Sequence, residues 1–280
     1  MDLSEKISIL KSKISELSNP PKEIPHTTVA IMWAECDHHG LYEQRQRSMA
    51  NLTTSTKSEC PKCLAERLSE LQTKQSDHEQ WSRSRHVSQL IDGLNLPERF
   101  KSATLENYEP VNDAAGHCLR VCQAYANKWP ERLKQGGGMV MCGKPGTGKN
   151  HLALAIAQYV IRTHESSALF TTALRIARAF KSTWSKNADR TESDVIKAYT
   201  DPDLLIIDEV GVQFGSDTEK QILFEIINTR YEKMRPTILI SNQTRAELSD
   251  FIGERVIDRM NDGGGCTLAF TWDSYRSRAA

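Results

Sequence analysis

Nine consecutive residues, Gly143-Lys144-Pro145-Gly146-Thr147-Gly148-Lys149-Asn150-His151, follow a short apolar stretch and precede a long helical pattern. A glycine-rich turn between a strand and a helix leaves few folds open. The glycines let backbone N–H groups turn inward around phosphate oxygens. Lys149 brings positive charge to the outer phosphates, and the helix N-terminus adds its dipole. The chain must therefore set a buried strand against the helix that follows it, as α/β proteins do. Gly143 through His151 are the candidate phosphate-binding residues.

The surrounding pattern agrees. Strands are expected at Gly138–Cys142, Ala168–Thr172, Leu204–Asp208, Thr237–Ser241 and Thr267–Phe270. Helices are expected between them, at Leu152–Thr163, Leu174–Ser185, Thr218–Lys233 and Thr244–Met260. Such alternation predicts a five-stranded parallel sheet covered by helices. The apolar run Leu204-Leu205-Ile206-Ile207 reads as a strand buried on both faces, ending in Asp208 and Glu209. Ligands bind beyond the carboxyl ends of such strands. Asp208 is placed to hold Mg²⁺, directly or through water, and Glu209 to orient and deprotonate an attacking water. The plain alternative is a pair of solvated charges. Asn242, after Thr237–Ser241, is a candidate to hold the lytic water or sense the γ-phosphate. ATP and Mg²⁺ are the implied cofactors. Asn150 stands where a hydroxyl residue normally meets Mg²⁺. An amide oxygen can ligate a hard cation, so a weaker or water-mediated contact is expected.

The first helix is expected over residues 1–19, where Leu3, Ile7, Leu10, Ile14 and Leu17 form one apolar seam before Asn19-Pro20-Pro21. The seam packs either on its own protein or on a partner. Residues 22–63 hold Cys36, His38, His39, Cys60 and Cys63. Two ligand pairs separated by a loop match a structural zinc site formed by Cys36, His39, Cys60 and Cys63, with His38 competing for the third place. A segment this small needs a staple. Residues 64–98 read as a polar helical connector and 99–280 as the α/β domain. Cys118, Cys122, Cys142 and Cys266 are expected to be packing residues.

Acidic and basic residues balance at 36 each, so nucleic-acid binding requires a local patch. No run of 18 apolar residues predicts a membrane span. Met1–Ser18 carries charges throughout and does not read as a signal peptide. With an odd count of seven cysteines, a disulfide framework is not expected and a cytoplasmic setting is.

Four stretches carry a family resemblance: GKPGTGKNH at Gly143–His151, IIDEVGVQ at Ile206–Gln213, GERVIDRM at Gly253–Met260 and WDSYRSR at Trp272–Arg278. In order and spacing they resemble the DnaC bacterial helicase loaders, from about Phe100 onward. The Cys36–Gly40 and Cys60–Cys63 element resembles one carried by DnaC-like proteins from phage and prophage, so the chain looks like that branch. The resemblance implies an AAA+ P-loop ATPase without a full lid domain, assembling as an open spiral with ATP at subunit boundaries. It implies an arginine reaching the γ-phosphate from the neighbouring subunit, Arg259 or, as second choice, Arg255. Arg276 would act from within the same subunit. Each arginine offers a fixed fork of donors to developing phosphate charge. The implied partners are a DnaB-type replicative helicase and single-stranded DNA. Lys181 and Trp184, with Arg178 beside them, fall at the family's DNA-contacting positions, and cations plus an aromatic suit a strand-binding surface. The plain alternative is an amphipathic helix with solvated cations. Two rival functions remain, an IstB-like transposition ATPase and an ATP-binding DNA adaptor with little hydrolysis.

Overall fold

A computed structural model describes residues 1–49, 55–185, 187–211 and 217–275. The chain forms two compact units, residues 1–85 and 86–280.

The first unit begins with α1 (Leu3–Ser18), whose N-terminus is closed by a reciprocal capping box between Asp2 and Glu5. The predicted seam exists, but it is turned inward. Ile7 and Leu10 are buried, and Leu3, Ile14 and Leu17 are half-buried. Of the two readings open for the seam, packing on its own protein is the one seen. After α1 come β1 (Thr27–Cys36), β2 (Gly40–Met49) and β3 (Ser55–Lys57), an antiparallel sheet in that order. Arg45 on β2 donates to the carbonyls of Glu16, Leu17 and Asn19 at 2.6–2.8 Å. The orphan carbonyls of the α1 C-terminus are thereby satisfied by a cation, which the helix dipole also favours.

Helix α2 (Pro61–Gly93) starts with proline at its first position, where the missing N–H is harmless. Its middle, from Thr73 to His86, is exposed almost throughout, as its polarity predicts. The unit boundary falls inside this helix.

The second unit adds α3 (Asp113–Asn127), α4 (Trp129–Gln135), β4 (Met139–Gly143), α5 (Lys149–His164), β5 (Ala168–Thr172), α6 (Ala173–Ser182), α7 (Glu192–Thr200), β6 (Leu204–Asp208), α8 (Asp217–Glu232), β7 (Thr237–Ile240), α9 (Arg245–Ile252), α10 (Glu254–Asn261) and β8 (Cys266–Phe270). The strands form one parallel sheet in the order β5-β6-β7-β4-β8. Strand alternation divides the core between the two sheet faces. Met139, Met141, Leu204, Ile206, Ile238 and Ile240 pack with α3 and α5, while Val140, Cys142, Leu205, Ile207 and Leu239 pack with α6 to α10. Cys118, Cys122 and Cys142 are buried free thiols, and Cys266 is half-buried.

Two helices differ from expectation. The stretch 244–260 is two helices, because Gly253 takes φ 92° between them. Helix α6 stops at Ser182, and Trp184 lies in the turn beyond it. Helices α3, α4 and α7 and the β1–β2 hairpin were not foreseen.

Candidate nucleotide site and metal centre

The phosphate loop runs from the end of β4 into α5, with Gly148 at the N-cap in a left-handed conformation, φ 95°. A Cβ there would meet the Tyr108 ring at 2.6 Å, so strain and space both demand glycine. Gly143 has φ 121°, and a Cβ would stand 2.3 Å from the Phe270 carbonyl oxygen. Thr147 closes the loop by donating from Oγ1 to the Lys144 carbonyl at 2.8 Å.

Lys149 is buried, and its Nζ donates to the carbonyls of Gly143 at 2.8 Å and Lys144 at 2.7 Å. Burial pulls its pKa down to about 8, against the pull of Asp208 and Cys142. Asn150 donates from Nδ2 to Asp208 Oδ2 at 2.6 Å, and the Glu209 N–H donates to Oδ1 at 2.7 Å. Burial pushes the Asp208 carboxyl above its usual range, and these two hydrogen bonds and Lys149 oppose it. Glu209 has φ 58°, a conformation a non-glycine residue holds only when its surroundings enforce it. Here the next N–H, from Val210, is tied to the Ile240 carbonyl at 3.0 Å.

These groups line one cavity of about 560 Å³. Pro145 through His151, Asp208, Glu209 and Asn242 all reach it, and the rest of the wall includes Arg99, Phe100, Tyr108, Glu109 and Tyr275. The last five were not picked out in the sequence. Four of them carry no motif and arrive through the segment before α3; Tyr275 lies within the Trp272–Arg278 stretch after β8. His151 meets the Thr104 carbonyl at 2.9 Å, and Lys144 pairs with Asp273 at 2.9 Å. The cavity has the size of a small-molecule site. The fitness of the site for Mg²⁺ rests on its donor set: Asp208 is a carboxylate at the cavity, and Asn150, its amide nitrogen engaged, keeps an oxygen for a hard cation.

Other expected site residues lie elsewhere. Arg255 and Arg259 are one turn apart on α10. Arg255 is exposed and has no side-chain partner among the described residues. Arg259 is half-buried, bonded to Asn228 and set over the rings of Phe224 and Tyr231. Arg276 lies outside the described residues. Lys181 pairs with Glu219 at 2.8 Å, and the Trp184 indole donates to Glu192 at 2.7 Å. Arg178 is exposed on the same helix.

In the first unit, Cys36 and His39 come from the β1–β2 turn, Cys60 from just before α2 and Cys63 from its first turn. Their ligand atoms lie within 4.8 Å of one another. His39 Nδ1 is 3.3 Å from Cys63 Sγ and 3.7 Å from Cys36 Sγ. Its Nε2 faces Glu66 Oε1 at 2.9 Å. His38 is outside this cluster. Three sulfurs and one imidazole nitrogen at such separations fit a tetrahedral zinc ion, and a carboxylate behind the histidine is the usual outer partner. Glu66 escaped the sequence reading, although it follows Cys63 by one helical turn.

A phosphate loop, an acidic pair and a polar strand end gathered at one cavity of a parallel sheet define a P-loop ATP-binding protein. A family model described as IstB-like ATP binding protein matches residues 44–277. The chain is 35% identical to the replicative helicase loader DnaC of Buchnera aphidicola subsp. Schizaphis graminum over 68% of its length and 76% of that protein's. It is 32% identical to the DnaC loader of Escherichia coli K12, over 71% and 80% of the two chains. A crystal structure of the DnaC helicase loader superposes with TM-score 0.55 at 22% identity, over 62% of this chain and 99% of that one. The chain belongs to the IstB-like ATP-binding family and, within it, to the DnaC-type replicative helicase loaders.

Proposed function

We propose that this chain loads a DnaB-type replicative helicase onto single-stranded DNA, using ATP to assemble a spiral that opens the helicase ring. The observation that carries this reading is the 35% identity to a helicase loader across 76% of that protein. The cavity chemistry supports the ATP-dependent part. Lys149 gives up its loop carbonyls for the outer phosphates of ATP. Asp208 and Asn150 hold Mg²⁺, which neutralises charge on the phosphates. Glu209 orients and deprotonates water, Asn242 senses the γ-phosphate, and Arg259 or Arg255 of a neighbouring subunit meets the developing charge. Arg276 acts in the same subunit. The strand is held by Arg178, Lys181 and Trp184, and phosphate competes there with Glu219 and Glu192 for the cation and the indole. Zinc closes the Cys36, His39, Cys60 and Cys63 site and stabilises the fold. Four protein ligands leave no open position for chemistry.

The test combines the chain, its host helicase, ATP and circular single-stranded DNA, and measures helicase deposited on the circle. Deposition that requires ATP and is lost with Lys149→Ala is expected. Absence of any helicase binding overturns the reading in favour of a transposition ATPase. Equal, negligible turnover by wild type and Glu209→Gln indicates an adaptor that binds ATP without using it.

A further inference from the structure

Strand β1 is the outer strand of its sheet: β2 pairs one edge over all ten residues, and no described strand pairs the other. An unpaired edge is a template for another strand, and proteins usually guard it with charges, proline or a bulge. Thr27-Thr28-Val29-Ala30-Ile31-Met32-Trp33-Ala34 contains none of these. Most of its apolar side chains are bare, with Ile31 57% exposed, Met32 41% and Trp33 70%, while Val29 and Ala34 are half-buried. Its one charge, Glu35, stands near the end.

We propose that β1 is a docking edge for a second copy of this chain, the two β1 strands pairing antiparallel about a two-fold axis at Ile31. Ile31 is the midpoint of Thr27–Glu35, the stretch that this register pairs end to end. In that register Ile31 faces its own copy, Val29 faces Trp33, and Ala30 faces Met32. Cross-strand pairs of aromatic and β-branched residues stabilise sheets. Glu35 of each strand falls opposite Thr27 of the other, so the two carboxylates stand at opposite ends of the pair. Arg47 already reaches Thr27 Oγ1, at 2.7 Å. Each Glu35 therefore lands beside a guanidinium. A parallel pairing would instead set like carboxylates side by side. Nucleic acid is a poor occupant of this edge: on this face Arg45 and Arg47 are tied to carbonyls of residues 16, 17, 19 and 22 and to Thr27, while Glu35 and Glu43 are exposed anions. The pairing needs neither nucleotide nor helicase, so it stands apart from the loader reading and from ATP-dependent assembly.

The test uses the zinc-loaded full chain without nucleotide, sedimented at ~1–100 µM, since an interface smaller than the standard size is weak. Wild type is expected to move from one to two chain masses across that range. Ile31→Lys and Ile31→Glu each set like charges directly opposite and are expected to stay monomeric. An equal mixture of the two is expected to recover the dimer. Zinc content and ATP binding, unchanged in both variants, report that they fold. Hydrogen exchange on wild type needs no variant: amides of residues 27–36 should lose protection on dilution. A wild type monomeric throughout, a dimeric Ile31→Lys, or a mixture that fails to pair overturns the proposal.

Discussion

The Asn150 amide donates to the Asp208 carboxylate at 2.6 Å, joining the start of α5 to the end of β6. An amide nitrogen there leaves the amide oxygen as the end available to a cation. On the proposed reading Asn150 would do two jobs that a hydroxyl does in most phosphate loops: orient the acid and keep an acceptor at the site. Asn150→Ala removes both, and the Mg²⁺ concentration needed for half-maximal ATP turnover is expected to rise by about 10–100-fold. Asn150→Thr should restore most of it. A Mg²⁺ titration of turnover checks both variants.

Lys149 predicts a pH dependence of binding. Only the ammonium form attracts phosphate, and burial lowers its pKa to about 8. ATP affinity should be full below that value and fall as pH rises through it. Between pH 7 and pH 9 a loss of about tenfold is expected, one decade per pH unit above the pKa. The sign is fixed because binding takes up the proton. A fluorescent ATP analogue titrated at both pH values measures it, and Lys149→Ala should bind weakly at either.

Glu66 should act on zinc alone. Glu66→Gln is expected to weaken zinc affinity by about 10–100-fold, read by competition with a chromogenic chelator. Cys63→Ser should lose the ion and unfold the β1–β2 hairpin. ATP binding by the second unit should survive both changes.

Arg230 is wholly buried and binds carbonyls of Tyr199, Thr200, Pro202, Asp203 and Pro236 together with Thr237 Oγ1. It pins the entries of β6 and β7, far along the chain from any motif. Burial pulls its pKa down to about 9. Arg230→Ala strands these acceptors and should cost about 3–5 kcal/mol, seen as a lowered thermal midpoint of the nucleotide-free protein. Arg230→Lys cannot fill the planar fork and should recover little.

Arg259→Ala should keep ATP binding and lose about 10³-fold in turnover if it supplies the shared-site cation. Mixing it with Lys149→Ala should regenerate activity, since one subunit gives the intact loop and the other the intact arginine. The same loss in Arg255→Ala, with Arg259→Ala active, would assign the role to Arg255.

Much of this protein was legible in one dimension. The glycine spacing of Gly143–Gly148, the apolar run ending in Asp208 and Glu209, and the paired ligands Cys36/His39 and Cys60/Cys63 are local patterns, and local patterns follow from backbone sterics, strand burial and metal geometry. The five strands of the main sheet fall within a residue of where periodicity put them, because buried strands must be apolar. What the tertiary structure decided is which groups meet. The sequence already favoured His39 over His38, and the folded β1–β2 turn leaves His38 outside the cluster. The inward turn of the α1 seam and the reach of Arg45 to three carbonyls at that helix's end both came from packing. Pairing Asn150 with Asp208 and Lys181 with Glu219, and setting Tyr108 against Gly148, depended on contacts between segments dozens of residues apart. No spacing rule encodes such contacts, since each exists only after packing has brought separate elements within hydrogen-bonding range.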